Sequence, residues 1–115
     1  RWTLFCAGPV EQATTAKSMG WEVPAERRGM VGFGSYDETV SALEGMLKHR
    51  DYVCGKQFTA ADVYVGSTVG WGLSVKTLPA LPAFEAYSKR VVARPAYQRV
   101  QQISAAKMAE LKAAR

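Results

Sequence analysis

Apolar residues recur at helical intervals along most of this chain. In the segment 36–49 the spacing is i, i+4, i+7 and i+11, which places the four side chains on one face of a helix: Tyr36, Val40, Leu43 and Leu47. Ser35 precedes this segment and Glu38 follows three residues later, a pairing typical of a capped helix start. The pattern predicts an amphipathic helix that begins after Ser35 and runs to about His49.

The first segment, 1–19, has a less regular apolar stripe, and an interior proline interrupts it. Pro9 lacks a backbone N–H, so we expect a kink or break near this residue. Gly20 can end the helix. The following segment, 21–33, contains one proline and two glycines and is predicted to be a connector with a short turn of helix.

Two further helices are predicted near the end of the chain. Phe84, Tyr87 and Val91 form one apolar face, and Pro95 suits the first position of the last helix. We expect the inner stripe of that helix to contain four residues: Tyr97, Val100, Ile103 and Leu111. The tail after Ala105 is rich in Ala and Lys and is expected to fray.

The segment 58–75 carries the strongest local signal. Thr59 and Asp62 have the spacing of a capping box, and Phe58 and Val63 that of a hydrophobic staple. No charge follows Asp62 until Lys76, so we expect this helix to be buried on all sides at the centre of the fold. The predicted class is all-α, a single domain over 1–115 with about five main helices.

Composition and charge limit the class of protein, its compartment and its possible partners. The chain has 115 residues, 48% of them hydrophobic, and no apolar run of the roughly 18 residues that span a membrane. Two cysteines make no disulfide framework, which favours a reducing cytoplasm. The net charge is −1 over 1–75 and +6 over 76–115. We interpret the basic half as a solvated helix face, with an acidic or nucleic-acid partner as the alternative.

No self-contained catalytic motif is present. His49 is the only histidine, and one histidine makes neither a metal site nor a triad. The sequence has no phosphate-binding loop of the Walker type and no Cys-x-x-Cys. Cys6 and Cys54 are interpreted as structural, since free cysteine usually behaves as a small hydrophobe.

The ordered set of segments nevertheless resembles the C-terminal domain of cytosolic glutathione transferases, and most closely the bacterial members. In that family a capping box with a staple opens the buried core helix, as Thr59 and Asp62 do here. Four other segments are similar and occur in the expected order: 7–11, 51–58, 82–87 and 93–97. Within this resemblance the N-terminal thioredoxin-like domain is missing, and the chain, which opens on Arg1 inside a helix, is expected to be part of a longer protein.

The resemblance implies a function for the whole protein: attack of the glutathione thiolate on a hydrophobic electrophile. The missing domain would bind and ionise the thiol of glutathione, the co-substrate, and no other cofactor is expected. The helical domain would form the wall of the electrophile site and, through its first two helices, the contacts of a homodimer. The implied wall residues are Trp2, Phe5, Cys6 and Pro9, and Trp71 is a further aromatic candidate for substrate binding.

Alternatives remain open at this point. Trp2 and Phe5 can instead pack in the core or at a subunit interface, and Trp71 can be a core residue. The same helical domain also serves as a non-catalytic protein-interaction module. We expect no nucleic-acid or membrane partner, and no transferase activity from these residues alone.

Overall fold

The computed structural model describes residues 1–115 throughout. Helix α1 (Trp2–Phe5), a π-helical segment (Cys6–Val10) and helix α2 (Glu11–Ser18) follow one another without interruption and form one rod. A 3₁₀ segment (Ala25–Met30) then leads to α3 (Tyr36–Leu47), α4 (Ala60–Ser74), α5 (Pro82–Val92) and α6 (Pro95–Ala113). The rod and four further helices confirm an all-α fold with five main helical units and no β-strand.

The interior proline changes the hydrogen bonding of the rod without ending it. Pro9 lies inside the π-helical segment, where the Glu11 N–H bonds the Cys6 carbonyl five residues back. The rod ends where predicted, because Gly20 takes a left-handed φ of 70°. There the Trp21 N–H bonds the Ala16 carbonyl at 2.8 Å and the Gly20 N–H bonds Lys17 at 3.2 Å, which is a Schellman motif.

The core lies between the rod, α3, α4 and α5. Its fully buried hydrophobic centre consists of five residues from three helices: Leu43, Val65, Val69, Phe84 and Tyr87. Close approach of α4 to α5 depends on Gly66, since a Cβ at this position would lie 3.0 Å from the Val91 side chain. Glycine at this position therefore allows the two helices to pack closely.

Helix α4 is central but is not buried on all sides, so that part of the sequence prediction is wrong. Val63 is 58% exposed and Trp71 is 70% exposed. The backbone of α4 comes close to α1, the π-helical segment and α5, but not to α2 or α6. The absence of charge did not indicate burial, because the outward positions of α4 are occupied by small or uncharged residues: Val63, Ser67, Gly70, Trp71 and Ser74. Trp71 is therefore not a core residue.

Helix α6 departs further from the prediction, since it has no buried residue. Val100 and Ile103 are 56% and 69% exposed, and Leu111 is 52% exposed, so the stripe expected to face inward is on the surface. Tyr97 alone of the four is partly buried against the core. The tail expected to fray is helical to Ala113.

Candidate functional site

The start of α4 joins three parts of the fold through one carboxylate. Asp62 is fully buried and accepts hydrogen bonds from the Val53 N–H at 2.8 Å, the Thr59 N–H at 2.9 Å and the Tyr87 hydroxyl at 2.9 Å. These donors belong to the preceding loop, the helix cap and α5. Asp62 therefore fixes the loop and α5 against α4, a structural role as the sequence indicated.

The capping box between Thr59 and Asp62 is formed. The carboxylate accepts the Thr59 backbone N–H at 2.9 Å, and the Thr59 hydroxyl also donates to this carboxylate, at 3.4 Å. The predicted staple between Phe58 and Val63 does not bury Val63, which is 58% exposed. Phe58 meets Tyr52 edge-on at 5.7 Å, and the Arg94 guanidinium lies 3.6 Å from its ring centre.

A groove of about 440 Å³ opens between α2 and α4, and we call it the α2–α4 groove. It exists because the rod contacts α4 along α1 and the π-helical segment but not along α2. Cys6 and Val10 line it from the rod. Four residues line it from α4: Tyr64, Thr68, Trp71 and Gly72. The groove is of a size that suits a small organic ligand.

The lining of this groove combines apolar surface with hydroxyl groups. Met19 and Leu78 add apolar atoms, and Thr14, Thr15 and Ser18 add hydroxyls along α2. Glu11 is the only charged residue of the lining. Such a surface offers apolar area beside hydroxyl oxygens, and its one carboxylate is that of Glu11.

The thiol of Cys6 is not activated for chemistry. Burial raises the pKa of Cys6 to about 11, and only the contact with Thr68 acts in the other direction. The thiol is therefore protonated near neutral pH, and the thiolate is the nucleophilic form. Cys6 can contribute wall surface here but not covalent catalysis. Cys54 is exposed and its sulfur accepts a bond from the Thr59 hydroxyl at 3.6 Å.

The structure brings together two of the five residues proposed from the sequence. Cys6 and Trp71 both line the α2–α4 groove, whereas Trp2, Phe5 and Pro9 do not. Trp2 and Phe5 pack edge-to-face on each other at 5.3 Å and lie partly buried against the core. Pro9 is half-buried within the π-helical segment.

Sequence reasoning missed Tyr64 and Thr68. With Trp71 they fall at i, i+4 and i+7 of α4, a spacing that marks one face of a helix. That signal was available in the sequence. The prediction that α4 is buried on every side gave no reason to distinguish this face of the helix from the others.

The fold is an all-α domain with an open groove between α2 and α4. A family model described as "Glutathione S-transferase, C-terminal domain" matches residues 31–95. This match covers more than half of the chain, so the protein belongs to that family. Comparisons with curated proteins and with solved structures give no match. No helix of the structure combines the length and apolar character needed to cross a membrane.

Proposed function

We propose that this chain is the helical domain of a glutathione transferase of the bacterial type and supplies the electrophile-binding wall. In the reaction, the glutathione thiolate forms a bond from sulfur to an electrophilic carbon, and the leaving group departs with its electron pair. The thiol proton is lost before attack. A separate glutathione-binding domain would lower the pKa of that thiol, and we place the whole protein in the cytoplasm.

The observation that carries this proposal is the α2–α4 groove in a chain that belongs to the family. Trp71 and Tyr64 offer aromatic surface to a hydrophobic substrate, and burial of apolar area supplies most of the affinity in such sites. Thr68 lies between them; its hydroxyl donates to the Tyr64 carbonyl at 3.1 Å, so its oxygen can accept a hydrogen bond from an N–H or O–H of a substrate. Trp2, Phe5 and Pro9 remain predicted wall residues, as a continuation of this surface along the rod.

Binding can be tested on the 115-residue chain with a non-reactive nitroaryl thioether, which resembles the conjugation product. We expect the indole N–H signal of Trp71 and the amide of Thr68 to shift in an NMR titration. Trp21 is 63% exposed and lies outside the groove, so its indole signal is the internal control. A matching shift at Trp2 would extend the wall along α1.

Two variants sharpen this test. Trp71→Ala should weaken binding about tenfold, because it removes part of the apolar contact area. Trp21→Ala removes a similarly exposed indole and should leave the affinity unchanged. Equal effects of the two substitutions, or no shift at Thr68, would refute the assignment of this groove.

Catalysis requires the other domain, so the isolated chain should not conjugate glutathione to a nitroaryl halide faster than buffer does. Robust conjugation by these 115 residues would overturn the proposed division of roles.

We also propose that the first two helical units, the rod and α3, form homodimer contacts. Leu4 is 75% exposed on the rod, and Leu4→Glu should reduce dimer formation in sedimentation.

A non-catalytic interaction module is the second proposal, and the exposed apolar surface of α6 is the observation that favours it. The two proposals make different predictions for the α2–α4 groove. If the chain is a transferase domain, the nitroaryl thioether binds saturably in the α2–α4 groove. If the chain is a non-catalytic interaction module, no such binding is expected.

A further inference from the structure

Cationic side chains gather where the end of α3, the loop that follows it and α5 meet. A cleft of about 920 Å³ opens there, and we call it the basic cleft. Four cationic side chains and one histidine line it: Lys48, Arg50, Lys56, Arg90 and His49. The lining also contains two carboxylates, those of Glu44 and Asp51, so its net charge is +2 with a neutral histidine. The basic cleft shares no residue with the α2–α4 groove.

Most of these cations have no carboxylate partner within the protein. Lys48 pairs with Glu44 at 3.0 Å, one turn earlier on the chain. Arg50, Lys56 and Arg90 form no ion pair, since the only other salt bridge of the chain lies on α6. Like charges that share a cleft repel one another, and an anion placed between them replaces this repulsion by attraction. The arrangement therefore favours an anionic ligand.

Backbone carbonyls fix the two guanidinium groups at the cleft. Arg90 is half-buried and donates from Nε to the Asp51 carbonyl at 3.0 Å and from Nη2 to the Arg50 carbonyl at 3.4 Å. Arg50 donates from Nη1 to the Val53 carbonyl at 3.1 Å. A guanidinium has five N–H donors, so each group keeps donors that these bonds do not use. The bonds leave the positive charge in place and reduce the side-chain entropy that an anion would have to remove on binding.

The rest of the lining decides between the classes of anion. No Phe, Tyr or Trp lines the cleft, so it has no surface for the stacking that single-stranded nucleic acids use. The uncharged positions near the cations are small and offer no deep apolar pocket: Gly55, Pro82, Ala83 and Ala86. A guanidinium fork matches the oxygens of a phosphate group, and a lysine adds a point charge. A compact ligand with several phosphate groups is therefore complementary to this cleft.

We propose that the basic cleft binds a small molecule that carries two or more phosphate groups. The unused N–H groups of Arg50 and Arg90 donate to phosphate oxygens, and Lys56 adds a third unpaired charge from the loop. Such a ligand ties the loop to α5, the same two elements that Asp62 joins to α4. The proposal does not depend on the function assigned to the α2–α4 groove.

Titration of the 115-residue chain with sodium tripolyphosphate tests the proposal. We expect saturable binding at one site by calorimetry, with NMR shifts at the amides of Gly55 and Lys56 and at the Nε–H of Arg90. Orthophosphate and citrate are the control anions, one with a single phosphate and one with carboxylates only. Each should bind at least tenfold more weakly than tripolyphosphate. The affinity for tripolyphosphate should fall severalfold between about 20 and about 200 mM NaCl, because salt screens exposed charges.

Two charge reversals locate the site without disturbing the core. Lys56 is exposed and unpaired, and Lys56→Glu should weaken tripolyphosphate binding at least tenfold. Lys112→Glu changes the net charge equally but lies on α6, outside the cleft, and should change the affinity less than twofold. The nitroaryl thioether should bind Lys56→Glu as it binds the unmodified chain, which separates this proposal from the transferase assignment.

A third variant tests the guanidinium fork. Arg90→Lys keeps the charge but removes the fork, so we expect the affinity for tripolyphosphate to fall about fivefold. This substitution also removes the bonds to the Arg50 and Asp51 carbonyls. Denaturation without ligand shows whether the variant is folded, and Lys56→Glu decides the matter if it is not.

Several results would overturn the proposal. Equal losses in Lys56→Glu and Lys112→Glu would show that only the net charge of the chain matters. Citrate that bound as tightly as tripolyphosphate would refute recognition of phosphate. A single-stranded oligonucleotide that bound far more tightly, with the same NMR shifts, would identify nucleic acid as the occupant. Absence of saturable binding at low salt would leave Arg50 and Arg90 with the structural role of holding the loop.

Discussion

The first turn of α4 and the whole of α6 show two different ways in which a helix is specified. At the start of α4, one buried carboxylate receives donors from a loop, a cap and another helix. Helix α6 begins with Pro95 and has neither a side-chain cap nor a buried residue. The first helix is held by tertiary contacts, whereas the second depends on its own hydrogen bonds. The pattern of apolar residues in the sequence does not by itself show which of these two helices is packed against the core.

Removal of the Asp62 carboxylate should produce the largest effect. Asp62→Ala leaves the Val53 and Thr59 N–H groups and the Tyr87 hydroxyl without their acceptor in a buried site. We expect a loss of about 4 kcal/mol in the free energy of unfolding. Chemical denaturation followed by circular dichroism measures it. Glu110→Ala on α6 is the control, and a comparable loss there would contradict the contrast between the two helices.

Removal of one donor should cost less. Tyr87→Phe keeps the buried ring but deletes the hydroxyl that bonds Asp62, so we expect a loss of about 2 kcal/mol. Tyr97→Phe is the matched control on α6, where the hydroxyl has no hydrogen bond within the protein, and it should be neutral. If the two substitutions had equal effects on denaturation, the network around Asp62 would not be the main link between α4 and α5.

The buried thiol of Cys6 predicts a pH dependence. The folded pKa of about 11 is above the ordinary value of 9.0, so the protonated thiol favours the folded state. This contribution is complete below pH 9 and is lost as the pH rises towards 11. Cys6→Ala should therefore show a shallower loss of stability over this range than the unmodified chain. Parallel curves in denaturation at several pH values would contradict the burial of this thiol.

Deletion of the distal part of α6 should have the smallest effect. Removal of 105–115 takes away no buried residue, so we expect the free energy of unfolding to change by less than about 1 kcal/mol. In the intact chain the amides of α6 should exchange faster than those of α4 and α5. A large loss on deletion, or uniform protection of all three helices, would show that α6 is integral to the cooperative core.

Local signals in the sequence determined most of the helices. Ser35 and Glu38 predicted the start of α3, where the Glu38 N–H bonds the Ser35 hydroxyl at 3.2 Å. Gly20 predicted the end of the rod, where its left-handed φ is 70°. These features depend on a few neighbouring residues, so they can be derived from the chain alone. The same local signals, taken in their order along the chain, indicate the all-α class and the family resemblance.

Only the tertiary structure decided which faces are covered. Val63 and Trp71 are apolar and belong to an uncharged helix, yet they are exposed, because neither α2 nor α6 reaches α4. The α2–α4 groove depends on where α2 diverges from α4, which involves the packing of several elements at once. Burial is a property of the assembled domain, whereas helical periodicity is a property of each segment. The sequence alone thus predicts the helices, but not which of their apolar faces still lack a partner.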